Sequence, residues 1–296
     1  MSWPVARNGN ILGVVVTYHP DESFPGRIAS LTKQIDSVLI VDNHSSTSAV
    51  SMLRETSSLP NVRLILNSEN LGIAAALNIG VKVALASGFE WVATFDQDSS
   101  VPEHYFDDLL KVYRDHQART SIAILAPVYC ERAIGNVSRL DKDAGIESVE
   151  VDRTMTSGSL IRTDCFRSVG LFDESLYIDY VDHEFGLRLI RAGYRIVRSN
   201  NTVLLHRLGN TTANCVFGRT FYTTGHDSTR RYYIARNRML VYRRYATFKP
   251  LWIVRDIASF FKEIVKIAIA EQNSVAKLSA TVRGVYDGLF GRTGSL

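Results

Sequence analysis

Asp96, Gln97 and Asp98 directly follow the apolar run Glu90–Phe95 and form the sharpest chemical feature of this 296-residue sequence. In an extended segment, residues i and i+2 point the same way, so both carboxylates face one ligand. Oxygen donors of this kind hold Mg²⁺ or Mn²⁺, with substrate phosphates completing the coordination. A second acidic group places Asp179, Asp182 and Glu184 within six residues, at the mouth of the helical segment Asp182–Ala192. Asp182 reads as an N-cap and Glu184 as a charge that suits the helix dipole. A carboxylate there also serves as a general base if a hydroxyl comes within hydrogen-bond reach. Thr156-Ser157-Gly158-Ser159 is either a tight turn or a place where a ligand approaches the backbone. His206, in LLHRLGN, is either a metal ligand or a structural imidazole.

The elements that must position these groups begin with four apolar runs: Ile11–Thr17, Ser37–Val41, Val62–Leu66 and Glu90–Phe95. Helix-length segments separate them, the clearest being Gly72–Ala86, and this rhythm predicts a parallel sheet with crossover helices. Polar groups follow each strand in turn: Thr17-Tyr18-His19, Asp42-Asn43-His44, Asn67 with Asn70-Leu71-Gly72, and Asp96-Gln97-Asp98. In open α/β sheets ligands bind beyond the carboxyl ends of the strands. Capping and turn chemistry explain each group singly; as a set they outline one side of a cleft. Without GxGxxG or GxxxxGK[ST], dinucleotide binding and P-loop chemistry lose support. Further strands are expected at Ile122–Tyr129, Thr156–Ile161, Tyr194–Val197 and Thr202–Leu205, with Glu131–Asp152 a polar excursion. From Thr229 the sequence turns mostly helical.

A hydrophobic content of 46% excludes disorder and a disulfide scaffold. Three cysteines with no CxxC pair point to a reducing compartment, the cytoplasm. The start, MSWPVARNGN, has no apolar h-region, and no charge-free run reaches the ~20 apolar residues of a membrane span. The net charge of +4 hides an asymmetry: residues 1–187 carry 15 Lys+Arg and 25 Asp+Glu, whereas 188–296 carry 19 and 5. The resulting −10 and +14 suggest an anionic partner for the C-terminal third.

VVTYHP, VDN, the Asn67–Gly80 stretch, FDQDS, SGSLIR, FDESLYIDYVDHEFGLRL and LLHRLGN, in this order, resemble the family 2 glycosyltransferases with the GT-A fold, and their bacterial rhamnosyltransferase branch in particular. The likeness spans roughly Ile11 to Arg292. It implies an α/β fold with a mostly parallel central sheet and a helical C-terminal extension. The catalytic domain would cover residues 1–228, with a nucleotide-binding half to about residue 120, and a basic amphipathic region would cover 229–296. Thr17, Tyr18, Asp42, Asn70, Gly72, Asp96 and Gln97 would then line the nucleotide-sugar site. Asp96, Asp98 and His206 would bind Mg²⁺ or Mn²⁺, and Asp182 would be the base. Gly158, Ser159, Asp179, Glu184, Arg231 and Arg236 are candidates for acceptor or auxiliary contacts. Where many members carry Glu-Asp, this sequence has Val181-Asp182, which leaves Asp179 and Glu184 as competing acids. The donor implied is dTDP-L-rhamnose and the acceptor a glycan or a lipid-linked sugar; another nucleotide sugar and a non-catalytic binding module are the alternatives. The segment TYHPDESFP lacks the glycine-rich, lysine-bearing loop of nucleotidylyltransferases.

Six arginines between Arg230 and Arg244 alternate with tyrosines. Basic residues among aromatics occur on nucleic-acid surfaces, but no nucleic-acid motif accompanies these. Trp252–Ala270 is amphipathic, with Arg255, Asp256, Ser259, Lys262, Glu263 and Lys266 on one arc. Its broad apolar face requires a cover: the catalytic domain, a second subunit, or an anionic membrane surface.

Overall fold

The computed structural model describes residues 10–35, 37–131, 136–137, 145–206, 212–216 and 219–296, excluding the side chains of 131, 136, 137, 206, 216 and 219. The chain divides into two compact units, Met1–Asp173 with Phe185–His206 and Glu174–Glu184 with Arg207–Leu296. The boundary expected at residues 228/229 falls inside the second unit.

The first unit opens with β1 (Ile11–Thr17), α1 (Phe24–Thr32), β2 (Ser37–Asp42), α2 (Thr47–Thr56), β3 (Val62–Leu66), α3 (Ile73–Ser87) and β4 (Trp91–Asp96). It continues with α4 (Tyr105–Asp115), β5 (Ile122–Glu131), β6 (Asn136–Val137), β7 (Ser148–Glu150), β8 (Ser159–Arg162), α5 (Thr163–Val169), α6 (Val181–Arg191) and β9 (Arg195–His206). The first four residues of α6 belong to the second unit. All seven residues of β1 are buried, as a β-branched run in the middle of a parallel sheet must be. The sheet order is β3-β2-β1-β4-β8-β5-β9-β7, with β6 on β5. β3, β2, β1 and β4 run parallel, whereas β8 lies antiparallel to both β4 and β5. The sheet is therefore parallel in its first half, as the first four apolar runs predict, and mixed beyond. Chain order reverses between β1 and β4, which sets Thr17 and Asp96 at the switch point where α/β sheets take ligands. The two strands expected over 194–205 are one long strand, and its pairing with β5 shifts register along the way. Ser199, Asn200 and Thr202 interrupt the apolar pattern there, yet all three are buried, with Ser199 and Thr202 joined by their hydroxyls at 2.9 Å.

The second unit adds the hairpin of β10 (Thr212–Val216) and β11 (Arg219–Thr223), then α7 (Ser228–Tyr245), α8 (Pro250–Ala270) and α9 (Ser274–Leu289). Asp227 caps α7 by accepting from the Arg230 amide at 2.7 Å. A Cβ at Gly284 would lie 2.3 Å from the Tyr232 carbonyl, and one at Gly288 2.4 Å from that of Arg236. This glycine pair lets α9 lie directly on the backbone of α7.

Candidate active site

At the ends of the parallel strands, polar side chains first satisfy one another. Asp42, 1% exposed, accepts from the Thr17 hydroxyl at 2.8 Å, the Ser45 hydroxyl at 2.5 Å and the Ser45 amide at 2.9 Å. Asn43 takes the Asn67 amide at 2.8 Å and donates to the Gly72 carbonyl at 3.0 Å. Gly72, at φ +82°, begins α3 and donates its N–H to the Asn70 side chain at 3.0 Å. Thr17, Asp42, Asn70 and Gly72 thus form one rim, and Tyr18 beside them is 49% exposed. Ser45 and Asn43 supply as much of this scaffold as the singled-out residues. Their hydroxyl and amide neighbours within the same short motifs were the available cue.

The DxD segment is not extended. β4 ends at Asp96, and the Ser99 amide closes a turn onto the Asp96 carbonyl at 3.2 Å. The Gln97 amide explains the change. It accepts from the Tyr18 N–H at 2.7 Å and donates to the Tyr18 carbonyl at 3.1 Å, extending the β1–β4 pairing with a side chain. The Ser157 hydroxyl accepts from the Asp96 amide at 3.0 Å and pairs with the Ser99 hydroxyl at 2.7 Å. From the other side, Arg27 Nε donates to the Gln97 carbonyl at 2.7 Å. Asp96 and Asp98 are half-buried at the mouth of this turn. Ser100 bridges Leu205, so the backbone just before His206 runs beside the motif; the His206 side chain lies outside the described residues. Among the described residues no group of three or more His, Cys, Asp or Glu could by itself hold a metal. Two carboxylates at an open strand end fit an ion completed by phosphate oxygens.

In the second unit, Asp182 sits in the first turn of α6. Its Oδ1 accepts the His183 amide at 2.8 Å and lies 2.7 Å from His183 Nδ1. Burial alone would raise this carboxyl, but the His183 ring and these hydrogen bonds outweigh it and hold Asp182 below the usual carboxylate range. The approach to it is strained. Tyr177, Asp179 and Tyr180 all have φ near +62° to +63°, a region that costs bulky residues about 1–3 kcal/mol each. Asn237 fixes this backbone by donating to the carbonyls of Leu176, Ile178 and Asp179 at 2.7, 2.7 and 2.9 Å. Arg230 grips Asp179 with two bonds of 3.0 Å, although burial outweighs that pairing and pushes the Asp179 carboxyl up. The Tyr180 hydroxyl donates to Asp256 at 2.8 Å and also meets Arg238. Asn237 and Asp256 were not anticipated as part of this assembly, because nothing local to their positions in the chain marks them.

Several anticipated contacts are turned inward. The space a Cβ would take at Gly158 (φ +75°) is filled by the Tyr105 hydroxyl at 2.6 Å and by Leu204, so protein rather than ligand approaches this glycine. Ser159 is buried and donates to the Met155 carbonyl at 2.6 Å. Glu184 is buried and accepts from the Tyr245 hydroxyl at 2.8 Å. Arg231 pairs with Glu263 and, at 2.6 Å, with Glu271. Arg236, 1% exposed, holds the carbonyls of Leu176, Ser175 and Gly294. Both arginines are buried, and each holds partners far along the chain that only tertiary packing reveals.

The model of glycosyl transferase family 2 matches residues 14–169. The chain is 28% identical over 301 residues to the dTDP-rhamnosyl transferase RfbF of Shigella flexneri, covering 97% of this chain and 98% of that protein. It is 26% identical over 250 residues to the galactofuranosyltransferase GlfT1 of Mycobacterium tuberculosis, covering 77% and 81%. Among solved structures, the mannosyltransferase PcManGT from Pyrobaculum calidifontis, in complex with GDP-Man and Mn²⁺, superposes with a TM-score of 0.59 at 15% identity, over 98% of this chain and 91% of that one. GalNAc-T7 with UDP, GalNAc and Mn²⁺ gives a TM-score of 0.59 at 12% identity over 79% of this chain, which spans about half, 47%, of that protein.

Proposed function

The chain belongs to glycosyl transferase family 2 and has the GT-A fold, and on that premise we propose that it transfers L-rhamnose from dTDP-L-rhamnose, with inversion, to a hydroxyl of a glycan or lipid-linked acceptor. The sugar rests on the likeness to RfbF over nearly the full length of both chains. The observation that carries the chemistry is Asp182, a carboxylate kept ionised at the end of a strained and heavily braced loop. Because both hydrogen bonds from His183 fall on Oδ1, Oδ2 is the oxygen that receives the acceptor proton. As the acceptor oxygen bonds to the anomeric carbon, the bond from that carbon to the diphosphate breaks, and the sugar inverts. A base so placed supplies about 10²–10⁴-fold in rate.

Tyr18 offers an exposed ring for stacking the base, and the Asp42 rim shapes the ribose pocket. Asp96 and Asp98 would hold Mg²⁺ or Mn²⁺, which neutralises negative charge on the diphosphate when bound. Three free cysteines support a reducing, cytoplasmic setting. The similarity to GlfT1 motivates a galactofuranosyl donor as the second reading.

Thermal-shift measurements with dTDP-, UDP- and GDP-sugars, with and without Mn²⁺, separate the two, since a ligand stabilises the state it binds. The largest shift is expected with dTDP-L-rhamnose and Mn²⁺; a larger one with a UDP- or GDP-sugar would overturn the donor assignment.

A further inference from the structure

The amphipathic pattern of α8 is resolved in an unexpected direction. Asp256 and Glu263, which its sequence places on the polar arc with Arg255 and Lys262, point inward. Asp256 takes Arg238 at 2.9 Å and Tyr242 at 2.6 Å, and Glu263 pairs with Arg231 and with Arg238 at 3.3 Å. The other two carboxylates of residues 250–296 behave likewise. Glu271 binds Arg231 at 2.6 Å and Lys277 at 2.8 Å, and Asp287 binds Tyr232 and Arg292, each at 2.9 Å. Arg231 and Arg238 of α7 thus hold three of these four acids, and Tyr232 with Arg292 holds the fourth.

What remains outside is apolar and cationic. Leu251, Val254, Phe261, Val265 and Ile269 are 55–72% exposed. They share an arc of roughly 80° along about 27 Å of helix. Arg255 and Lys262, both exposed, border this stripe on one side. No helix among the described residues is long and apolar enough to cross a membrane. An apolar stripe edged by cations and cleared of carboxylates matches a helix lying in the plane of an anionic interface. A second copy of the same face would set like charges against each other.

We propose that the outer face of α8 docks on an anionic phospholipid bilayer. The contact is independent of donor and acceptor, so its test needs neither. Flotation with equimolar phosphatidylcholine/phosphatidylglycerol vesicles should recover the full chain, and phosphatidylcholine vesicles alone should recover far less. Neutralising Arg255 and Lys262 together (R255Q/K262Q) should weaken partitioning about fivefold per cation, roughly 25-fold for the pair. Phe261→Asn with Val265→Asn should weaken it on the order of tenfold or more. All four residues are exposed, so both variants should melt with the wild type and keep dTDP binding. Equal recovery on neutral vesicles, unchanged partitioning of either variant, or a dimer in solution that Phe261→Asn dissociates would each overturn the proposal.

Discussion

The strand-end rim and the braced loop before Asp182 solve the same problem, holding polar groups in place, by different means. In the first unit the brace is made of hydrogen bonds without a paired cation: hydroxyls and amides of Thr17, Ser45, Asn43 and Gln97 fasten neighbouring strand ends, those of Thr17 and Ser45 onto the Asp42 carboxylate. In the second it is ionic and buried, with Arg238, Asp256, Tyr180 and Tyr242 converging from α7, α8 and the loop. Single hydrogen bonds at a strand end are individually modest, so their loss is local. A buried ion pair that loses one partner leaves an uncompensated charge and damages the whole unit.

Replacing Arg238 with Met should therefore have the largest effect on stability, about 3–5 kcal/mol, because Asp256 stays buried without its cation. Denaturant melts would register it, and a loss below 1 kcal/mol would dissolve the contrast between the regions. Asp42→Ala should cost about 1–3 kcal/mol by orphaning the Thr17 and Ser45 hydroxyls. It should also weaken nucleotide binding, which calorimetry with dTDP would report.

A smaller, graded effect is expected from His226. Burial, then Arg230, Arg231 and Lys277, push its imidazole down to about 3. The unfolded chain thus binds a proton that the folded one refuses as pH falls from about 6.5 towards 3. Stability from this residue is complete above pH ~6.5 and declines below it by up to about 1.4 kcal/mol per pH unit. His226→Gln should flatten the stability–pH curve in that window, and an unaltered slope would count against the half-buried, neutral imidazole.

The two regions also differ in how legible they are from the chain. β1 and β3 end at the residues their apolar runs suggest, and the helical segment expected over Asp182–Ala192 is α6, Val181–Arg191. Contacts in the rim are made by short motifs whose residue types announce polar work. The destination of Arg231 and Arg236 was hidden, since their partners lie tens of residues away and an exposed and a buried arginine look alike in sequence. For the same reason the sequence pattern groups Asp256 and Glu263 with Arg255 and Lys262 on one arc. In the DxD segment, period-two logic failed because the Gln97 side chain, not the backbone of the next residue, continues the pairing with β1.

The proposed division of labour, with the strand-end rim binding the donor and Asp182 acting as base, is tested most directly by measuring dTDP binding and nucleotide release on Asp182→Asn and Asp96→Asn together. Asp182→Asn should bind dTDP in the presence of Mn²⁺ like the wild type while release from dTDP-L-rhamnose with acceptor falls about 10²–10⁴-fold; Asp96→Asn should lose binding itself. Wild-type release by Asp182→Asn, with binding intact, would contradict the assignment of the base.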